Sequence, residues 1–158
     1  QGLGWMTPNQ RATGHVPEEL YTIPFGQADV KREGSDVTIL TVSLMVHRSL
    51  DAAEKLAEEG ISAEVIDLRT LVPLDREAIV NSVKKTHRVL VVDEDYLSYG
   101  MSGELVAIIA EDALDYLDAP PSRLAVPNVP IPYSRPMEQY VIPSVDRIVA
   151  AATELVNS

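Results

Sequence analysis

Three consecutive acidic residues, Asp93-Glu94-Asp95, are the strongest candidate for chemistry in this 158-residue sequence. Carboxylates at the end of a strand bind Mg²⁺ or accept a phosphoryl group in some α/β proteins. A phosphorylation site of the receiver kind also needs a lysine at a later strand end, and residues 124–128 contain none. We therefore favour a structural role, in which Glu94 makes hydrogen bonds within the turn or across a subunit contact while Asp93 and Asp95 face solvent.

Other residue types that commonly carry catalysis are scattered along the chain. The three histidines, His15, His47 and His87, lack the spacing of metal ligands. His47 is placed for general acid–base work at a strand end, but an ordinary helix residue is favoured there. Residues 100–103, Gly-Met-Ser-Gly, have only the outer frame of a phosphate loop and are interpreted as a turn before a helix. The residues alone predict no catalytic, cofactor or metal site.

Charge and hydropathy limit the partners. The chain has 13 basic and 24 acidic residues, a net charge of −11, and no cysteine. Nucleic acid and anionic membranes attract basic proteins, so neither is an expected partner. No apolar run approaches the roughly 20 residues that span a bilayer. We expect a neutral or basic protein partner, and a cytoplasmic location or, in a eukaryote, the mitochondrial matrix.

Strands and helices alternate from Asp36 onward. The predicted strands are Val37–Val42, Ala63–Leu68, Val89–Asp93 and Ser122–Val126. Ser43, Asp75 and Ser144 are predicted N-caps of helices, another helix starts after the turn at residues 100–103, and the proline-rich residues 127–143 are predicted to lack regular structure. This alternation predicts an α/β domain of three layers, with a mostly parallel sheet covered by helices on both faces.

Residues 1–35 differ from the rest, because glycine and proline interrupt every apolar period. We interpret them as an extended linker arm that leads from a missing amino-terminal domain, with its first dozen residues a candidate for disorder. The α/β domain then occupies residues 36–158, and the chain is expected to be an excised half of a longer protein. Four apolar residues of the arm are expected to dock on a neighbouring surface: Leu20, Tyr21, Ile23 and Phe25.

Five stretches occur in the order found in one protein family. They are residues 21–28 (YTIPFGQA), 32–39 (REGSDVTI), 45–47 (MVH), 67–75 (DLRTLVPLD) and 117–120 (LDAP). From about residue 16 to its end, the sequence resembles the carboxyl-terminal domain of the β subunit of thiamine-diphosphate-dependent 2-oxo acid dehydrogenases. This group acts on pyruvate, branched-chain 2-oxo acids or acetoin, and the domain has the transketolase carboxyl-terminal fold.

The resemblance implies what the intact enzyme does and what this segment lacks. The enzyme is an oxidoreductase that decarboxylates a 2-oxo acid on thiamine diphosphate with Mg²⁺ and transfers the acyl group to a lipoyl arm. The cofactor lies in the absent parts, so this segment alone is expected to bind no cofactor and to be inactive. The implied partners are an α subunit and a second β subunit in an α2β2 heterotetramer, and the peripheral-subunit-binding domain of the lipoyl acyltransferase in the multienzyme complex.

The resemblance also assigns residues. Asp118 matches the acidic residue of the Leu-Asp/Glu-Ala-Pro motif, and Ser158 supplies the terminal carboxylate; both receive basic side chains of the acyltransferase in relatives. Relatives usually end in a large apolar residue, unlike Ser158. Glu94, Gly100 and Glu104 match family positions and are interpreted as structural or interface residues.

Several alternatives stay open on the sequence alone. Asp118 is equally well explained as a solvated or N-cap-like residue in the turn before Pro120. Relatives often place a glycine in the stretch at residues 42–44, which here is Val-Ser-Leu. The whole domain also fits a transketolase, a deoxyxylulose-phosphate synthase, or a free-standing α/β binding domain.

Overall fold

The strand that begins at Val37 lies in the middle of the sheet and is buried along its whole length. A computed structural model describes residues 17–158. Its strands are β1 (Asp29–Arg32), β2 (Val37–Thr41), β3 (Ala63–Asp67), β4 (Val89–Tyr96) and β5 (Ser122–Val126). Its α-helices are α1 (Leu44–Glu58), α2 (Arg76–Thr86), α3 (Met101–Asp112), α4 (Arg135–Val141) and α5 (Val145–Val156), with a 3-10 turn at Leu114–Tyr116.

The sheet has the order β1-β3-β2-β4-β5. Strands β2 to β5 pair in parallel, while β1 is antiparallel to β3. Helices α1 and α5 pack a hydrophobic cluster on one face of the sheet. Helices α2 and α3 pack a second cluster on the other face. The predicted three-layer α/β fold with a mostly parallel sheet is confirmed.

All three predicted N-cap residues occupy N-cap positions. The Asp75 carboxylate accepts the Ala78 N–H at 3.0 Å, and the Ser144 hydroxyl accepts the Arg147 N–H at 3.3 Å. Ser43 precedes α1 as predicted, but its side chain makes no cap hydrogen bond. Its φ of 57° lies in the region that glycine favours, which fits the glycine that relatives often carry in this stretch.

Two other predictions about local structure are wrong. The proline-rich residues 127–143 contain helix α4, because Pro136 falls in its first turn, where proline removes no needed hydrogen bond. Helix α3 begins at Met101, so the presumed turn at residues 100–103 is mostly helical. The spacing of apolar residues also predicts that this helix includes Leu114 and Leu117, but α3 ends at Asp112 and Leu114 is exposed in the 3-10 turn beyond it.

The predicted arm, residues 1–35, contributes β1 to the sheet at its end. Its residues 1–16 lie outside the described residues. Gly26 N–H donates to Thr70 Oγ1 at 3.0 Å and Ala28 N–H to Asp75 Oδ2 at 2.9 Å, which attach the arm to the loop before α2. The four apolar residues expected to dock are exposed in the described structure: Leu20, Tyr21, Ile23 and Phe25.

A buried polar network joins β2, β3 and α2. The Thr38 hydroxyl on β2 lies 2.5 Å from Ser82 Oγ and 2.6 Å from Thr86 Oγ1. Ser82 in turn donates to the Glu64 carboxylate, which is 1% exposed and also pairs with Lys85. A buried carboxylate is tolerated when it is paired and hydrogen-bonded, as Glu64 is here. The network therefore provides hydrogen-bond partners for the Thr38 hydroxyl, which β2 buries near its amino end.

The arm contacts this network through Glu33. Lys85 Nζ lies 2.6 Å from the Glu33 carboxylate, and the backbone of Gly34 passes directly against the start of β3. A Cβ at Gly34 would overlap the backbone of Ala63 and Glu64. Only glycine, which has no Cβ, fits so close to the backbone of β3.

We predict that Gly34→Ala destabilises the domain by about 1–3 kcal/mol, since the methyl group meets backbone that cannot move aside. Gly103→Ala is the matched control. Its Cβ would lie 3.6 Å from the flexible end of Arg123, inside α3, where alanine is the better helix former. Urea unfolding of both variants tests the prediction. Equal stability of Gly34→Ala and wild type would contradict the packing described here.

Candidate functional site

The acidic cluster lies at the carboxyl edge of the sheet, where β4 runs on to Tyr96. Asp93 is 3% exposed, and its Oδ1 accepts the Asp95 N–H at 3.0 Å, while Asp95 is exposed. The prediction that Asp93 faces solvent is therefore wrong. Burial raises the pKa of Asp93, the charge of Asp95 adds to the rise, and nearby backbone N–H groups oppose it.

Gly100 lies next to Asp93 at the start of α3. It is the N-cap of α3, a helix that has no side-chain cap of its own, and its Cα lies against the Tyr96 carbonyl oxygen. A Cβ there would overlap that oxygen and would lie 3.5 Å from Asp93 Oδ2. The Asp93 carboxylate thus lies beside the first turn of α3, where helix N–H groups stabilise negative charge. Its Oδ1 is hydrogen-bonded within the turn, whereas the buried Oδ2 has no hydrogen-bond partner among residues 17–158.

Glu94 and Glu104 remain at the same edge. Glu94 is half-buried near Arg48; burial lowers the pKa of Arg48, and the charge of Glu94 opposes that shift. Arg48 also donates to the Pro143 carbonyl oxygen at 2.5 Å, which attaches α1 to the start of α5. Glu104 is exposed in the first turn of α3. Among residues 17–158, no group of three or more His, Asp or Glu side chains is placed to hold a metal ion.

The turn after β4 and the loop after β5 carry several exposed apolar side chains, and we call this set of residues the tyrosine surface. The turn after β4 and the loop after β5 are tied together, because Ser98 N–H donates to Asn128 Oδ1 at 3.3 Å and Asn128 Nδ2 donates to Ser98 Oγ at 2.7 Å. The tyrosine surface consists of Leu97, Tyr99, Val129, Ile131 and Tyr133. Tyr99 and Tyr133 are fully exposed. Such an apolar patch is typical of a protein contact.

A second feature of the carboxyl edge is an open cavity of about 610 Å³ between the arm and the ends of β2 and β3. Its lining includes the cations Lys31 and Arg69, which would suit an anionic ligand. Both, however, lie 2.5 Å from the Asp29 carboxylate. Their charges are therefore already partly compensated within the domain.

Asp118 lies at the opposite, amino edge of the sheet, in the turn that leads into β5. Its backbone N–H donates to the His87 carbonyl oxygen at 2.9 Å, directly before β4 begins. Its side chain is 56% exposed, and its Oδ2 lies 3.5 Å from Arg88 Nη1. Asp118 is thus a fixed, half-exposed carboxylate, able to accept hydrogen bonds from a basic partner.

The end of α2 holds this turn in place. His87 ends the helix with a φ of 60°, and its Nδ1 lies 2.7 Å from the Tyr116 carbonyl oxygen. Lys84 Nζ lies 4.9 Å from the centre of the Tyr116 ring, within the range of a cation–π contact. The backbone at residues 116–118 is therefore anchored to α2 on both sides of Leu117.

Ser158 lies beyond the end of α5 and is exposed. Its hydroxyl donates to the Leu155 carbonyl oxygen at 2.8 Å. Leu155 and Ala119, the neighbour of Asp118, belong to the same hydrophobic cluster. The two predicted docking residues thus extend from elements that pack on one face of the sheet.

Sequence reasoning missed Arg88 as a site residue. Arg88 and Asp118 are 30 positions apart and belong to no common motif. The available signal was topological: parallel neighbours β4 and β5 begin at the same edge, so the residues that precede them come together.

Comparison with known proteins agrees with this architecture. The family described as the transketolase C-terminal domain matches residues 26–148. The chain is 50% identical over 143 residues to the 2-oxoisovalerate dehydrogenase subunit beta of Bacillus subtilis, covering 90% of this chain and 44% of that protein. It is 48% identical over 135 residues to the mitochondrial pyruvate dehydrogenase E1 component subunit beta-1 of Arabidopsis thaliana, covering 85% of this chain and 37% of that protein.

A solved structure gives the same result. A split-gene transketolase, described as an inactive beta4 tetramer, superposes with a TM-score of 0.75 at 28% identity, covering 90% of this chain and 46% of that one. The resemblance to β subunits of 2-oxo acid dehydrogenases is confirmed. The chain spans less than half the length of these relatives.

Asp93 gives a prediction about pH. Because its folded pKa is raised above the ordinary 3.8, the stability it contributes is fully present below that value and is lost as pH rises through the folded pKa. We predict that Asp93→Asn, which stays neutral, gains stability relative to wild type between pH 4 and pH 7. Urea unfolding at both values measures this difference.

A second variant tests the cause of the same effect. Asp95→Asn removes the neighbouring negative charge, so it should lower the pKa of Asp93. The pH range over which the protein loses stability should then become narrower. An Asp93→Asn effect that is equal at pH 4 and pH 7 would contradict the raised pKa.

Proposed function

Because the chain belongs to the transketolase C-terminal domain family, we propose that it is the carboxyl-terminal domain of the β subunit of a 2-oxo acid dehydrogenase. In this proposal it assembles the decarboxylase component and docks it on the lipoyl acyltransferase. The observation that carries the docking role is the half-exposed carboxylate of Asp118, held at the amino edge by backbone contacts. A net charge of −11 also favours a basic partner.

The location of Asp118 supports a protein partner over a small ligand. Small molecules bind open parallel sheets at the carboxyl edge, in crevices between strand ends. Asp118 lies at the other edge, on a turn that is exposed from Leu114 to Tyr116. A charged turn with neighbouring exposed apolar side chains resembles the rim of a protein interface.

For the complete enzyme we propose oxidative decarboxylation of a 2-oxo acid on thiamine diphosphate with Mg²⁺. Among the described residues, the buried carboxylate Asp93 lies against the first turn of α3, and its Oδ1 accepts the Asp95 N–H. We propose that the cofactor lies in other parts of the enzyme, that residues 1–35 connect to them, and that this segment alone is inactive. We propose the cytoplasm, or the mitochondrial matrix in a eukaryote, as the location. The helices within residues 17–158 include none with the length and hydropathy of a membrane span.

Subunit assembly is the second part of the proposal. The tyrosine surface offers two fully exposed aromatic side chains on loops that hydrogen bonds fix to each other. Rigid aromatic side chains are typical anchors of protein interfaces. We propose that this surface, with Gly100 and Glu104 beside it, contacts the α subunit or the second β subunit of an α2β2 assembly.

Two alternatives are less well supported. A transketolase or a deoxyxylulose-phosphate synthase shares the fold, but the split-gene transketolase is 28% identical whereas the dehydrogenase β subunits are 48–50% identical. A free-standing binding domain would use the carboxyl edge, where the cavity cations Lys31 and Arg69 already contact Asp29.

Calorimetric titration with a peripheral-subunit-binding domain of an acyltransferase tests the docking proposal. We predict that wild type binds and that Asp118→Ala binds about tenfold to hundredfold more weakly, since a charge-assisted hydrogen bond is lost. Asp115→Asn is the control: it removes an equal charge from an exposed residue of the same turn and should bind nearly as wild type. No heat with any of the three proteins would reject the docking proposal.

Sedimentation of the complete β subunit with its α subunit tests the assembly proposal. We predict that Tyr133→Asp dissociates the heterotetramer, because it places a charge in an apolar contact. Leu114→Asp adds the same charge to an exposed apolar side chain at the amino edge and should leave the assembly intact. An intact heterotetramer with Tyr133→Asp would place the subunit contact elsewhere.

A further inference from the structure

We propose that Arg88 competes with the basic partner for Asp118 and thereby lowers the affinity of docking. The inference rests on the docking function proposed above and names the residue of this chain that regulates it. Its basis is that the carboxylate offered to the partner already has a cation of its own domain beside it.

The two side chains meet because their backbones are fixed, not because two flexible surface residues happen to approach. Asp118 N–H donates to His87 O, and Arg88 O accepts from Thr38 N–H at 2.8 Å. The turn before β4 therefore cannot move away from Asp118 without breaking contacts of the central strand.

The contact itself is weak. Its N–O distance of 3.5 Å is long for a hydrogen bond, and it joins one nitrogen to one oxygen rather than two pairs. Buried Arg88 Nε has no hydrogen-bond partner in the described structure. Asp118 thus keeps lone pairs that a partner's guanidinium or ammonium group is able to use.

Charge, rather than geometry, then sets the competition. Arg88 is 25% exposed and stays beside Asp118, so it offsets the negative potential that attracts a basic side chain. A partner cation bound to the other oxygen would lie within a few ångströms of the Arg88 guanidinium, and like charges at that distance repel. Removing the charge of Arg88 should strengthen docking, whereas removing a residue that merely supports the site would weaken it.

Other cations near the turn are engaged differently. Lys84 contacts the ring of Tyr116, and the imidazole of His87 contacts the Tyr116 carbonyl oxygen. Lys84→Gln therefore removes one positive charge from the same end of α2 without removing a contact to Asp118. It separates the local effect of Arg88 from a general change in net charge.

The experiment is a titration of the peripheral-subunit-binding domain against wild type, Arg88→Gln, Lys84→Gln, Asp118→Asn and the double variant Arg88→Gln/Asp118→Asn. We expect Arg88→Gln to bind about two- to fivefold more tightly than wild type at low salt, the range of an exposed ion pair. The gain should shrink with added salt. The gain in affinity should be smaller for Lys84→Gln than for Arg88→Gln. Arg88→Gln should give no gain when Asp118 is already replaced by asparagine, since a double-variant cycle isolates the interaction between Arg88 and Asp118.

Each other result has a defined meaning. Wild type that binds, with Arg88→Gln unchanged or weaker, overturns the competition and leaves the docking function standing. An equal gain in Lys84→Gln or in the Asp118→Asn background overturns it as well. No binding by wild type or Arg88→Gln rejects both the docking function and this inference. If Arg88→Gln does not fold, Arg88→Met removes the charge while keeping the buried stem, and the same criteria apply.

Discussion

The central strand β2 is buried on both faces, and this constraint governs much of the structure. A strand in that position is best made of apolar residues, yet β2 carries Thr38 and Thr41. Thr41 donates to the Val92 carbonyl oxygen at 2.8 Å, which satisfies it within the sheet. Thr38 needs partners from α2, and those partners need Glu64 and Lys85 in turn. Satisfying one buried hydroxyl thus fixes the position of a whole helix against the sheet.

The same network extends to the proposed docking site. The Thr38 N–H donates to the Arg88 carbonyl oxygen, and the preceding carbonyl group, that of His87, accepts the Asp118 N–H. The carboxylate offered to a partner is therefore connected to the core through a few short bonds. Rigid support of this kind reduces the entropy lost on binding, which favours recognition by a single charged residue. We propose that the carboxyl edge, with its exposed tyrosines, makes the subunit contacts.

Much of the fold could be predicted from the sequence, because each strand carries a run of buried apolar residues and the caps Asp75 and Ser144 have a local signature. Predictions from local sequence patterns failed where contacts between distant parts of the chain determine the structure. Strand β1 is too short and polar to be recognised without its partner β3. Asp93 is buried at the end of β4, where the start of α3 lies against it. Asp118 was found through a family motif, but Arg88 beside it required the knowledge that β4 and β5 begin at the same edge.

Hydrogen–deuterium exchange of the β subunit, with and without the peripheral-subunit-binding domain, tests the central claim most directly. Our account predicts new protection at residues 114–121 and near the end of α5, with little change at residues 97–103 and 127–133. Protection of the tyrosine surface in place of the turn at Asp118 would contradict it, because the partner would then dock at the carboxyl edge of the sheet.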